Sequence, residues 1–361
     1  MPSPRVLMLI PSLAKQGIAQ AVQSDTHPIM DYYALQNALN ADILDYGALE
    51  AETNPMLVRI ARRFGKDAAL AALGYSRRDN YDLIYSNGEN VGIPLAALLK
   101  RHFKRPGHFM IGHKVSTGKK RILLRGLQAQ MDAIFVYATP QYDYARQKLG
   151  ISAAKLHLIP FHADHKFYRP MPAPETSLSP MICSAGLEWR DYPTLLEAVG
   201  GMKIEVRLAA ASPWSKHRNE TENRVMPPNV TAQRYEYSAL RQLYAESRFV
   251  VVPLYENDFQ AGITTILEGM AMGKAIITTR TTGQVDTIRE GENGLYVAPG
   301  DVKGWQTAIR SLLDNPARAD KLGQQARHDI ETVLSLEHWV KRIAAVAHQL
   351  YAQRTARVNP I

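Results

Sequence analysis

QAGITTILEGMA, residues 260–271, follows the apolar run FVVVPL (249–254) and is closed by Gly273 ahead of a second apolar run, AIITT (275–279). A buried strand, a turn at Gly262, a helix and another buried strand make the pattern of a parallel crossover. Gly262 lets a ligand approach the backbone, and Thr264 and Thr265 are placed to cap a helix whose first amides have no internal acceptor. Such a helix start attracts phosphate. Glu268 lies one turn further in, on the face of Thr264 and Thr265, so a carboxylate stands just beyond a bound phosphate, where ribose hydroxyls would donate to it. An ordinary capped helix in an α/β crossover has the same spacing, and the residues alone leave both readings open.

Gln260 to Glu268 also resembles the motif of family 4 glycosyltransferases, retaining enzymes of the GT-B fold, in which two glutamates are separated by seven residues; here Gln260 holds the first place and Glu268 the second. The family's Gly-Phe-Gly segment stands as Ala261, Gly262 and Ile263. LEGMAMGKAIIT (267–278) and TTGQVDTIREGENGLYVAPGD (281–301) resemble the segments that follow. The resemblance runs over essentially the whole chain. It implies an α/β protein of two Rossmann-like domains facing a cleft: an acceptor-side domain over 1–163, a nucleotide-sugar domain over 164–340, and a C-terminal helix over 341–361 that crosses back to the first.

Length agrees, since 361 residues suffice for two domains with their own cores. A hydrophobic share of 46% against 21% charged residues is that of a globular chain rather than a disordered or membrane-spanning one. Cys183 is the only cysteine, so no internal disulfide and no thiolate zinc cluster can form, which fits a reducing, cytoplasmic location. The apolar run Val6 to Leu13 is interrupted by Pro11 and reads as a first strand rather than a leader. No run approaches the roughly 18 apolar residues of a membrane span.

The net charge of +9 lies in the first half: residues 1–170 hold 22 Lys and Arg against 13 Asp and Glu, and residues 171–361 hold 21 against 21. A solvated basic face is the plain reading. The sharper one is contact with an anionic membrane surface or an acidic acceptor, because MLVRIARRF (56–64) and KKRILLRGL (119–127) mix bulky apolar and basic residues at helical spacing. No nucleic-acid motif or interleaved aromatics accompany the charge.

Along the chain, the loop after the first strand offers Gly17 where the family carries a glycine pair for donor and acceptor. YDLIYSNGENVGIPLAALLK (81–100) reads as a strand, a polar turn from Ser86 to Asn90 and a helix with Pro94 in its first turn. Asn87 and Glu89 at the sheet edge are a turn and a cap, or acceptor contacts. His113 follows a strand and resembles the histidine that the family places beside the transferred sugar. His157, His162 and His165 lack an evident carboxylate or cysteine partner for a metal site. Residues 170–180, PMPAPETSLSP, read as a linker. Beyond it, the family holds the donor diphosphate with an arginine and a lysine, in whose places stand Leu187 and Arg190. The exit SPWS (212–215) is expected near the nucleotide, with Tyr235 near the base.

The resemblance thus implies retaining glycosyl transfer from a UDP- or GDP-sugar to a hydroxyl of a glycan, glycolipid precursor or small molecule. Arg190 and the amides at Thr264 and Thr265 would offset charge on the diphosphate, and no cofactor or metal is implied. A GT-B nucleotide-sugar epimerase and a non-catalytic binding protein remain as alternatives, the latter suggested by Gln260 and Leu187. The lack of a GxGxxG turn after the first strand speaks against an NAD dehydrogenase.

Overall fold

The computed structural model describes residues 3–13, 17–102, 104–172, 180–210 and 226–358, apart from the side chains of residues 119, 357 and 358. The linker expected over 170–180 falls largely outside these residues, and the SPWS exit wholly so. The chain divides into two compact units, one of Met1–Gly17, Met30–Pro160 and Glu337–Ile361, the other of Ile18–Ile29 and Phe161–Leu336.

In the first unit, β1 (Val6–Leu9), β2 (Asp42–Leu44), β3 (Leu83–Ser86), β4 (Gly107–Ile111), β5 (Ala133–Val136) and β6 (Leu156–Leu158) form a sheet in the order β2-β1-β3-β4-β5-β6. In the second, β7 (Met181–Ala185), β8 (Glu205–Ala209), β9 (Val230–Gln233), β10 (Phe249–Val252), β11 (Ala275–Thr279) and β12 (Gly294–Val297) take the order β12-β11-β10-β7-β8-β9. Every pairing of these strands is parallel. Helices cover both faces of a parallel sheet, so its strands are apolar throughout rather than alternating. In β10, Val250 and Val252 join one apolar cluster with Ile266 and Met270, while Phe249 and Val251 join another with Trp305 and Ile309. Strand β10 stops at Val252 rather than running to 254 as expected. Pro253 has no N–H for a ladder, and the Leu254 amide donates instead to Thr279 Oγ1 at 2.9 Å.

Strand order sets where a ligand can enter. In the second sheet the chain steps from β7 outward through β8 and β9, then returns to β10 and steps the other way. The connections leaving β7 and β10 therefore part to opposite faces, opening a crevice at the carboxyl ends of those two strands. Residues 186–191 and 253–262 emerge there.

Two local expectations are corrected. The helix Glu89–Leu99 starts within the presumed turn, so Pro94 lies inside it rather than in its first turn. The Glu89 carboxylate is anchored from outside the helix, as described below, and this fixes the early start. The segment Ile18–Ile29 groups with the second unit, although it precedes residue 163. Asp25 holds it there: its carboxylate accepts from Arg169 Nη2 at 2.7 Å and from Arg241 Nη1 at 3.0 Å. Those bonds, Arg169 foremost, hold the Asp25 carboxyl well below the usual carboxylate range. The Ile29 amide adds a bond to Asp164 Oδ2 at 2.8 Å.

The loop before the helix Ile263–Ala271 is braced by 281–284. Gly283 N donates to Asn257 O at 2.9 Å, and Gln284 Nε2 to Ala261 O at 2.9 Å. A Cβ at Gly283 would stand 2.1 Å from Phe259 O, a backbone atom that cannot rotate away. Gly283→Ala is expected to destabilise the protein by about 3 kcal/mol through overpacking, read as a lowered midpoint in urea. An unchanged midpoint would mean that the two loops part freely.

Candidate functional site

Glycine shapes the floor of the crevice. Gly186 (φ +87°) ends β7, and a Cβ there would meet Arg190 Nη2 at 2.5 Å, so only glycine lets the guanidinium fold back over the strand end. Gly262 (φ +76°) begins the helix Ile263–Ala271 in the left-handed region. Its absent Cβ would meet Val252 Cγ1 at 2.9 Å and Arg190 Nη1 at 3.2 Å.

The expectation that threonines cap this helix is corrected. The N-cap is Gly262 and no side chain caps it; Thr264 and Thr265 lie inside the first turn. Ile263 N donates to Gln260 O at 3.3 Å and Ile266 N to Gly262 O at 3.1 Å. Among the described residues the Thr264 and Thr265 amides have no backbone acceptor. Thr264 is exposed, and Thr265 is buried with its hydroxyl donating to Ala185 O at 3.2 Å. A positive helix end thus faces the crevice with donors to spare.

Arg190 crosses that end. Nε donates to Ala185 O (2.9 Å), Nη1 to Glu188 O (2.8 Å) and Nη2 to Thr265 Oγ1 (3.1 Å). All three partners are neutral. A guanidinium has five N–H groups, so one on each terminal nitrogen is left over among the described residues. Arg190 is only 6% exposed, and burial pushes its pKa down, disfavouring the charge. Among the described residues this buried cation has no carboxylate partner, so an incoming anion would restore the missing charge balance. Leu187 offers no second cation: it packs against the apolar cluster that contains Ile182, Tyr192 and Leu195.

One turn behind, Glu268 is buried and accepts from Tyr244 Oη at 2.8 Å. Burial raises its pKa to about 7, opposed by the Tyr244 and Tyr168 hydroxyls and by Arg190. Tyr168 Oη is itself buried without a partner at hydrogen-bonding geometry. Gln260 is 8% exposed, and its buried side-chain oxygen accepts from no donor among the described residues. Ile263 is buried at the helix start. Tyr235 follows β9, half-buried against the cluster of Leu243 and Tyr244, further along the same sheet edge. The Trp189 ring, at a positive φ of 57°, meets Phe259 edge-on at 5.8 Å.

The structure therefore brings Arg190, Gly262, Thr264, Thr265 and Glu268 to one place in the second unit. His113, Asn87 and Glu89 lie in the first unit, and Gly17 (φ +82°) ends the first of its segments. His113 is exposed, its ring 5.6 Å from that of Tyr137. Asn87 Oδ1 accepts from Tyr85 Oη at 3.2 Å. Glu89 is buried with both oxygens engaged, Oε2 by His113 N at 3.0 Å and Oε1 by Lys120 Nζ at 3.0 Å. It supports the His113 loop. Tyr244, Tyr168 and Trp189 were missed from the sequence. The tyrosines sit at core positions of their segments; Trp189, an aromatic between a glycine and a cation, was the signal available. Among the described residues no three His, Cys, Asp or Glu gather in a metal-binding group, and no helix is long and apolar enough to cross a membrane.

Two parallel six-stranded sheets with flanking helices are the GT-B architecture of glycosyltransferase structures. Residues 182–315, which include Arg190, Gly262 and Glu268, match the family model described as Glycosyl transferases group 1. The chain is 25% identical over 218 residues to the MMP alpha-(1->4)-mannosyltransferase of Mycolicibacterium hassiacum, a match covering 58% of this chain and 51% of that protein. The chain thus spans about half the length of that curated relative. Its fold is similar to that of sucrose-phosphate synthase from Thermosynechococcus elongatus (TM-score 0.72, 18% identity, 97% of this chain and 100% of that one). It is likewise similar to Anabaena HepE in complex with UDP-glucose (TM-score 0.66, 16% identity, 96% and 100%).

Proposed function

We propose that the chain moves a glycosyl group from a UDP- or GDP-sugar to a hydroxyl of a glycan, glycolipid precursor or small molecule, with retention of configuration and without metal or cofactor. Arg190 carries the proposal: a buried guanidinium with neutral partners and two spare N–H groups, beside a helix start with spare amides. In this role Arg190 and the amides of Thr264 and Thr265 offset the charge that develops on the departing diphosphate, the point at which fixed donors in a dry site act most strongly. Glu268 accepts from ribose hydroxyls, Gln260 meets the donor sugar, Gly262 and Ile263 present backbone to the phosphates, and Tyr235 lies along the base. His113, held by Glu89 through its amide, serves the reacting sugar, with Gly17 toward the donor and Asn87 and Glu89 on the acceptor side. Support for UDP comes from HepE, which holds UDP-glucose on the same fold; support for hexosyl transfer comes from the mannosyltransferase relative. A cytoplasmic location rests on the single cysteine.

The test is nucleoside diphosphate release by purified protein from a panel of UDP- and GDP-sugars, with candidate acceptors supplied. Release with one donor that depends on an acceptor supports transfer. Interconversion of the donor sugar without any acceptor means an epimerase. Binding without turnover in every mixture means a non-catalytic binder, the reading that Leu187 favours by leaving the diphosphate with one cation.

A further inference from the structure

Several of the exposed large apolar side chains stand on two helices of the first unit. On Pro55–Phe64, Met56 is 69% exposed, Val58 45% and Phe64 70%; on Gly118–Leu127, Ile122 is 67% and Leu123 48% exposed. Neither helix needs these residues for its attachment. Leu57 is buried with Leu70 and Leu73, and Leu124 and Leu127 are buried with Met110 and Ile134. Arg59, Arg62 and Arg63 are exposed on the first helix, Arg121 and Arg125 on the second. At about 100° per residue, the three arginines of the first helix cover the face away from Leu57, flanked by Met56 and Val58. On the second, Ile122 lies opposite Leu124 with Arg125 beside it. Among the described residues none of these arginines has a carboxylate partner.

Both helices belong to one layer. The connections from β2 to β3, β3 to β4 and β4 to β5 all step the same way across the sheet, and right-handed crossovers put their helices on one face. Packing agrees: Pro55–Phe64 lies on Lys66–Ser76, that helix on Glu89–Leu99, and that in turn on Gly118–Leu127.

We propose that this helical layer docks on an anionic lipid bilayer, with the arginines on lipid phosphates and Met56, Val58, Ile122 and Leu123 in the boundary between headgroups and acyl chains. Two observations select a lipid surface over an acidic protein. The whole +9 excess lies in residues 1–170, matching the sign of an anionic leaflet. The exposed apolar side chains are single and separated by cations, which suits a fluid interface that closes around each one; a protein partner is met by a contiguous apolar centre with a polar rim. The inference goes beyond glycosyl transfer and does not rest on it, since its test reads binding alone.

The experiment is co-sedimentation of the full chain with phosphatidylcholine vesicles, with and without about a third phosphatidylglycerol. Binding is expected to the anionic vesicles only and to weaken with salt. Each arginine near such a surface strengthens partition about fivefold, so Arg59→Gln/Arg62→Gln/Arg63→Gln is expected to weaken it about a hundredfold. Met56→Ser/Ile122→Ser is expected to weaken it with unchanged net charge. A matched control, Lys303→Gln/Arg310→Gln/Lys321→Gln in the second unit, removes as much charge and is expected to bind as the parent does. All these side chains are exposed, and unchanged thermal unfolding of each variant verifies the fold. Equal binding to neutral vesicles, an equal loss in the control, or capture by polyglutamate without vesicle binding would each overturn the proposal.

Discussion

Arg190→Leu is expected to slow nucleoside diphosphate release roughly 100- to 1,000-fold, the usual cost of removing one fixed donor from developing transition-state charge. The loss should fall mainly on kcat, because the diphosphate gains its full charge only as the glycosidic bond breaks. Leucine also strands Ala185 O, Glu188 O and Thr265 Oγ1, the three groups that Arg190 now satisfies, so lowered stability would accompany the kinetic effect. Arg190→Lys separates the two. It keeps the charge but not the fork that spans three acceptors, and about a tenfold loss of kcat/KM is expected from the missing charge-assisted bond. The check is steady-state kinetics with thermal unfolding on the same samples. If Arg190→Lys and Arg190→Leu turn over at the parent rate while remaining folded, the anion-site role is wrong.

Glu268→Gln has two expected effects of opposite kind. With its pKa raised to about 7 by burial, the folded protein retains a proton that the unfolded chain has released. The carboxyl therefore subtracts stability as pH rises from its ordinary value of 4.5 to about 7, and the deficit is constant above that. At one pKa unit per 1.36 kcal/mol, the difference between parent and Glu268→Gln is expected to grow by about 3 kcal/mol between pH 4 and pH 8 in favour of the variant. Urea unfolding at the two pH values measures it, and a difference that stays flat would show that Glu268 ionises as freely as in solution. Nucleotide affinity should move the other way. An amide accepts from ribose less strongly than a carboxylate, and a loss of roughly 10- to 100-fold in UDP affinity is expected at pH 8. In the parent, affinity should rise as pH passes about 7, a dependence the variant lacks. Equal UDP affinity in parent and variant at both pH values would remove Glu268 from the ribose.

Much of the fold could be read before the structure. β3, β4, β5, β10 and β11 fall on apolar runs bounded by polar turns, because strands buried on both faces leave a continuous local signature. Gly262 and the helix behind it were legible for a similar reason. A left-handed residue before an apolar periodic run is a property of neighbours in sequence. Thr264 and Thr265 were placed correctly in the helix start and wrongly as its caps. The capping rule assumes an extended residue with an oxygen at the N-cap, and here the backbone turns at Gly262 instead.

The side-chain partners of QAGITTILEGMA stand far away in the chain. Arg190 reaches Thr265 across 75 positions, and Tyr244 reaches Glu268 across 24. Asp25 joins the second unit through Arg169, 144 positions on. Glu89 spends both oxygens on His113 and Lys120. Periodicity and turn chemistry are local, so a sequence records which residues will be buried and where the chain must bend. Which buried polar group finds which partner is decided when strand order brings distant loops to one sheet edge. Here the placing of β7 beside β10 brings a buried arginine against the start of a helix.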